Sequence, residues 1–139
     1  MEKTLYVVGF LFSPNMEEVV LIEKNRPDWQ KGLLNGVGGH VKEDEDSYQA
    51  MVREFHEETG LKFLDWEQFH VLNNPHFTVC CFKGVSEAWD MARTMTDEKI
   101  DIYSVAMLKK LNTIKNLQWL IPMCLDDQHI HGVSSTKIK

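Results

Sequence analysis

The apolar positions of the chain come in short runs whose spacing changes partway along. Thr4–Phe12 and Val19–Glu23 are rich in valine, leucine and aromatic residues. Ser13-Pro14-Asn15 lies between them as a turn sequence, so they predict two joined strands. Lys24–Gly39 breaks the pattern. It holds four of the eight glycines, a proline and Trp29, and reads as a long loop of the kind that is often functional. From Ser47 the period lengthens: Tyr48, Met51, Val52 and Phe55 recur at three- and four-residue steps, one apolar face of a helix. Asp46 followed three residues later by Gln49 is a capping-box start, and Gly60 after Thr59 is a natural stop. Phe63–Leu72 and Phe77–Lys83 read as strands around a turn at Asn73-Asn74-Pro75. Glu87–Met95 fits a short helix or a loop, Ile100–Val105 a strand, and Leu117–Cys124 a helix carrying Trp119. Asp126–Lys139 is polar and basic at its end, and either frays or adds a late edge strand. Strands mixed with two helices predict a layered domain of the α/β or α+β class.

Charge sharpens one part of this picture. Residues 42–58 hold seven acids against two bases, an excess of five in a chain of net charge −6, so the acidity is local. On the expected helix Glu54, Glu57 and Glu58 sit at i, i+3 and i+4, which turns their carboxylates toward one another and away from the apolar face. Like charges at those spacings repel, so something must offset them. A solvated charged face is one reading. Arg53, four residues before Glu57, supplies another as a weak ion pair. A hard divalent cation explains the cluster better: Mg²⁺ takes carboxylate oxygens, keeps waters and binds phosphates directly.

The remaining composition mainly excludes. A chain of 139 residues, 43% hydrophobic, suits a single domain over 1–139 with a real core. Mild acidity argues against nucleic-acid duplexes as partners. No run of eighteen apolar residues offers a membrane span. The start, Met1-Glu2-Lys3 before apolar Leu5–Phe12, imitates a signal peptide, but Ser13-Pro14-Asn15 and Glu17-Glu18 follow where small cleavage-site residues would stand. Cys80, Cys81 and Cys124 form neither a disulfide framework nor a zinc spacing, and are expected as reduced, cytoplasmic thiols packed as small apolar groups. His129-Ile130-His131 is expected to decorate a tail or edge strand.

The segment Gly39–Leu61 carries a more specific signal: Gly39, five residues, Glu45, seven residues, then Arg53-Glu54-Phe55-His56-Glu57-Glu58-Thr59-Gly60-Leu61. This resembles the signature box of the Nudix hydrolases, which cut nucleoside diphosphates linked to another group. Seven fixed letters at fixed offsets match by chance at roughly a few starts per billion, at ~6% usage per residue type. Phe55 stands where the family usually has Ile, Leu or Val, a change that bears on packing.

The resemblance implies the Nudix fold, a mixed β-sheet sandwiched between helices with a catalytic loop–helix–loop. It implies a magnesium site, with Mn²⁺ as a substitute, held by Glu54, Glu57, Glu58 and the Gly39 carbonyl. Glu45 would bind the metal through water or support the loop, and Arg53 would hold a glutamate in place. A glutamate outside the box acts as general base in some members. Glu98 sits about where such a residue would be, and a solvated loop acid is its competing reading.

For the substrate, Gly32-Leu33-Leu34-Asn35-Gly36-Val37-Gly38-Gly39 resembles the lead-in of MutT-type and oxidised-purine triphosphatases, where an asparagine reads the purine edge. That role falls on Asn35, although asparagine also favours turns. Asn116-Leu117-Gln118-Trp119-Leu120-Ile121-Pro122 resembles a segment where eukaryotic members have an acidic pair. Asn116 and Leu117 replace that pair, which puts 8-oxo-guanine selectivity in doubt and leaves Asn116 as a neutral reader. Trp119 either stacks on a base or packs in the core. Lys24, Arg26 and Lys31 either touch phosphates or are solvated. The expected partner is a small nucleotide, bound by a monomer or homodimer. ADP-ribose or a nucleotide sugar is the alternative substrate, signalled by Pro75 fourteen residues past Leu61. A catalytically silent nucleotide-binding domain is the second alternative.

Overall fold

The computed structural model describes residues 3–126 and 134–137. Through them run β1 (Thr4–Phe12), β2 (Glu18–Glu23), β3 (Leu34–Asn35), β4 (Val37–His40), α1 (Ser47–Thr59), β5 (Glu67–Asn73), β6 (Phe77–Val85), β7 (Lys99–Ser104), α2 (Leu117–Leu125) and β8 (Ser134–Lys137). The fold is a mixed β-sheet flanked by helices, as the α/β expectation required. β1 is its axis. It pairs in parallel with β6 from Thr4↔Phe77 to Phe12↔Val85. Its other edge is shared by β4 (Tyr6↔His40 to Gly9↔Val37) and, at the end, β2 (Phe12↔Val19), both antiparallel. β5 joins β6 antiparallel and takes β8 in parallel as an outer strand. β2 also pairs with β7 and β3.

Strand alternation divides the core in two. Val8, Phe10 and Phe12 point to one face, where they meet Phe69, Leu72 and Cys81 and the α2 residues Leu117, Leu120 and Ile121. Val7 and Leu11 point to the other face, against Met51 and Phe55 of α1 and Trp66. The sheet is therefore covered on both sides, which is why its central strands are near-continuously apolar.

Several expectations need correction. Lys24–Gly39 is only partly loop. Backbone bonds from Lys24 N–H to the Leu33 carbonyl (2.9 Å) and from Gly32 N–H to the Lys24 carbonyl (2.8 Å) close residues 24–33 as a hairpin, after which β3 and β4 form. The glycines hid two short strands whose pairing, with few side chains to signal it, comes from their neighbours. The strand expected over Phe63–Leu72 begins at Glu67, because Phe63 and Trp66 turn inward and stack edge-on at 4.8 Å under α1. The apolar face of α1 is rotated as well. Ala50, Met51, Phe55 and Thr59 are buried, whereas Tyr48 is exposed and donates its hydroxyl to the Leu64 carbonyl (2.6 Å).

Other details follow the sequence. Asp46 and Gln49 form the reciprocal capping box, and Gly60 ends α1 in the left-handed region at φ 78°. Phe55 fills its place against Trp66 at 5.1 Å between ring centroids. Glu87–Met95 contains one 3₁₀ turn, Trp89–Met91. Cys80, Cys81 and Cys124 are free and buried. Among the described residues no helix is long and apolar enough to cross a membrane. His129-Ile130-His131 lies outside the described residues.

Candidate active site

Two polar regions meet along β4. The first is built on α1 around Arg53. Its Nε and Nη2 donate to both oxygens of Glu45 (3.0 and 2.5 Å), and Nη2 also reaches the His40 carbonyl (3.0 Å). Nη1 donates to Glu54 Oε1 (2.8 Å) and to Glu57 (3.3 Å). One guanidinium thus faces three carboxylates, and the cluster keeps a negative excess. The arrangement explains why these like charges tolerate one another: the planar fork of arginine can serve several acceptors at once. Glu45 also accepts from Lys42 N–H (2.9 Å), so it fastens the loop entering α1. The Arg53 hydrogen bonds hold its carboxyl down to about 2.

Glu54 and Glu58 feel the opposite pressure. Burial pushes both carboxyls above the ordinary range. At Glu54 the Arg53 bond works against that rise; at Glu58 the Thr96 hydroxyl and the Lys24 ammonium do so. Glu57 stands at the solvent edge, its side chain half exposed.

The donor set suits a hard divalent cation. All candidate ligands are oxygens, and the Gly39 backbone lies close against Glu54: a Cβ at Gly39 would fall 2.6 Å from that carboxylate, so only glycine leaves the cradle open. Among the described residues no three acidic, histidine or cysteine side chains form a ready cation cage.

The second region is a cavity of about 380 Å³ on the α2 side of the sheet, lined in part by Gly38 and Gly39. Tyr6, Trp29 and Phe77 give it aromatic walls, and Asn35, Asn116 and Lys24 are among its polar groups. Leu34 N–H bonds the Asn112 carbonyl (2.8 Å) and Ile114 N–H bonds the Leu34 carbonyl (3.0 Å), which brings the start of α2 beside β3. Asn35 is partly engaged: its Oδ1 accepts from Gly36 N–H (2.7 Å) and its Nδ2 donates to Gln30 Oε1 (3.3 Å). The Asn116 side chain caps nothing and has no hydrogen bond among the described residues.

The sequence expectations divide accordingly. Glu45, Arg53, Glu54 and Glu57 are brought together around the guanidinium, with Glu58 on the flank facing Thr96. Asn35, Asn116 and Lys24 converge on the cavity. Trp119 does not: Asn116 and Leu120, four apart, face the cavity, while Trp119 packs edge-on to His70 at 5.5 Å within the α2-side core. Arg26 also stays outside, paired with exposed Asp97, and Lys31 is exposed away from the lining.

Glu98 is not a solvated acid. It is 4% exposed, and its oxygens accept from Lys24 Nζ (3.2 Å) and Asn25 N–H (2.7 Å). With both oxygens engaged it is placed to hold Lys24 and the Asn25 backbone. Pro75 sits in the β5–β6 turn, where the Asn74 side chain accepts from His76 and Phe77 N–H (2.8 Å each).

Tyr6, Trp29, Gln30 and Phe77 were missed. Tyr6 was legible in principle, since it shares the β1 alternation of Val8 and Phe10, and Trp29 is an aromatic left 69% exposed. Gln30 and Phe77 gave no such signal.

This fold and this glutamate–arginine cluster define a Nudix-type hydrolase. A family model described as the NUDIX domain matches residues 3–120, and the chain belongs to that family, whose members hydrolyse a nucleoside diphosphate linked to another moiety and commonly use divalent metals. Among solved structures it is similar to a MutT from work on Aliivibrio salmonicida and Vibrio cholerae, at 21% identity over 88% of this chain and 96% of that one, with a TM-score of 0.74. It is similar to the NUDIX domain of Shewanella oneidensis NrtR complexed with ADP ribose, at 18% identity over 90% and 88% of the chains (TM-score 0.78). A bifunctional NMN adenylyltransferase/ADP ribose pyrophosphatase from Francisella tularensis matches at 15% identity over 91% of this chain and 41% of that one (TM-score 0.76). At these identities the likeness is one of fold. A search of curated protein sequences gives no match.

Proposed function

We propose that the protein hydrolyses a purine nucleoside triphosphate to the monophosphate and pyrophosphate in the presence of Mg²⁺, with Mn²⁺ as a substitute. The observation that carries this reading is the cavity: about 380 Å³, walled by Tyr6, Trp29 and Phe77, carrying two asparagine amides, and lined at one side by Gly38 and Gly39, the latter against Glu54. That volume and mixture of aromatic walls with few polar groups suit a small planar ligand. An asparagine amide offers a donor and an acceptor to a base edge. Asn116, with its amide uncommitted, is the better reader, and Asn35 supports it.

In this reading Glu54, Glu57 and Glu58, with the Gly39 carbonyl, hold the cation. A cation held there would supply orientation of the phosphates and acidification of a water. Arg53 keeps Glu54 and Glu57 aimed, and Glu45 fixes Arg53 to the loop. Lys24, held by Glu98, presents its charge to the phosphates as they leave the cavity. Glu98 thus serves as the anchor of Lys24 in place of the base expected from sequence.

A Mg²⁺-dependent hydrolysis panel tests the reading: dGTP, 8-oxo-dGTP, the other triphosphates, ADP-ribose and a nucleotide sugar, with products identified. Preferential conversion of a purine triphosphate to monophosphate and pyrophosphate supports it. ADP-ribose cleavage with triphosphates untouched transfers the cavity to the second reading, which the ADP-ribose complex of the Shewanella domain favours. No turnover with or without Mg²⁺ indicates a binding domain.

A further inference from the structure

The loop before β7 is stitched to both polar regions by hydrogen bonds that nothing in the box sequence announces. Lys24, on the cavity wall, donates to Glu98 Oε1 at 3.2 Å, and Asn25 N–H donates to Glu98 Oε2 at 2.7 Å. Asn25 Nδ2 also holds the Asp97 carbonyl (2.5 Å), and Arg26 pairs with the Asp97 side chain. Three consecutive residues of the lead-in are therefore fastened to two consecutive residues of this loop. One position earlier, the Thr96 hydroxyl accepts from Glu98 N–H (3.2 Å) and donates to Glu58 Oε2 (3.0 Å). A threonine hydroxyl has one hydrogen. Because the Glu98 amide occupies a lone pair, that hydrogen is directed at Glu58.

Glu58 needs such a contact. It is half-buried among like charges, with Glu54 on its own helix and Glu98 across from it; the Thr96 hydrogen bond is the foremost favourable contact on its carboxylate, and the Lys24 ammonium and Arg26 guanidinium add longer-range attraction. Arg53, which serves Glu45, Glu54 and Glu57, does not reach it.

We propose that Thr96 is the positioning residue for Glu58: it takes the place that Arg53 fills for the other glutamates, and it ties that carboxylate to the segment carrying Lys24. The inference rests on the reading of Glu58 as a cation ligand. Its consequence is specific. Loss of the hydroxyl weakens cation binding in the absence of substrate, and raises the Mg²⁺ concentration needed for turnover while kcat at saturating Mg²⁺ changes little.

The test is free-Mn²⁺ titration by electron paramagnetic resonance on the intact chain and on Glu58→Gln, Thr96→Val and Thr96→Ser, with melting curves alongside. Thr96 is exposed, so the valine variant is expected to fold. The expected result is a loss of Mn²⁺ affinity of about tenfold in Thr96→Val, the lower end of effects seen when a ligand's supporting partner is removed. Affinity returns to within about twofold of the parent in Thr96→Ser, which keeps the hydroxyl. If Glu58→Gln weakens binding but Thr96→Val does not, the positioning role is overturned and Glu58 stands as a ligand. If Thr96→Ser binds as weakly as Thr96→Val, the hydroxyl is not the cause and the proposal fails. If Glu58→Gln binds Mn²⁺ like the parent, both the ligand reading and this proposal fall.

Discussion

The two sides of β4 are built by opposite rules. On the α1 side, Glu45, Arg53, Glu54, Glu57 and Glu58 come from fourteen consecutive residues, and one arginine ties four carbonyl or carboxylate partners into a fixed lattice. On the α2 side, the cavity draws on β1, the 24–33 hairpin, β3, β4, β5, β6 and the start of α2, and its asparagines are lightly bonded or, among the described residues, unbonded. The lesson is a division of labour. Groups that must hold charge at a set place are preorganised by one another. Groups that must exchange water for a ligand's edge keep their hydrogen-bonding capacity in reserve.

The largest effect should come from the lattice. Glu57→Gln keeps shape and removes charge, and kcat should fall at least about a hundredfold, near 2.7 kcal/mol of barrier, with the melting curve unchanged. An effect under about threefold, roughly 0.7 kcal/mol, would take Glu57 away from the cation.

Arg53→Met probes whether the lattice is structural as well as chemical. It strands three carboxylates, and in EDTA should cost roughly 2 kcal/mol, below the figure for a fully buried pair because Arg53 is 21% exposed. Added Mg²⁺ should recover part of that loss, read from denaturant midpoints.

On the other side, Asn116→Ala should lower kcat/KM for purine triphosphates about tenfold, near 1.4 kcal/mol, with no change in stability. A change confined to kcat would place Asn116 with the chemistry and erase the division.

The smallest expected signal is in pH. Glu45 is held down to about 2 by Arg53, so its contribution to stability is present above the ordinary carboxylate range and is lost as pH falls from about 4.5 to about 2. Glu54 and Glu58 are held up, so their cost is present at neutral pH and is relieved as pH falls through their raised values. Melting temperature in EDTA should therefore hold or rise slightly on mild acidification and then drop. Arg53→Met should flatten the acid limb.

The same contrast explains what could be read from the sequence. The box was legible because its residues are neighbours in the chain and their roles depend on helical offsets. Asp46, Gln49 and Gly60 fixed the helix ends for the same local reason. Asn35 and Lys24 were legible through the lead-in. Trp119 stayed open between pocket and core because a pocket aromatic and a core aromatic one residue from the pocket face look alike until α2 is oriented. Glu98 was read as a base or a solvated acid because the lysine that pairs with it lies 74 positions away. β3 and β4 were taken for loop because glycine-rich strands owe their pairing to the strands beside them.

The most direct test of the division is the purine-to-pyrimidine ratio of kcat/KM, measured for the parent chain, Glu57→Gln and Asn116→Ala. The account expects Glu57→Gln to lower both substrates equally and leave the ratio unchanged, while Asn116→Ala collapses it. A ratio that moves in Glu57→Gln, or that survives in Asn116→Ala, would contradict the separation of reading from cutting.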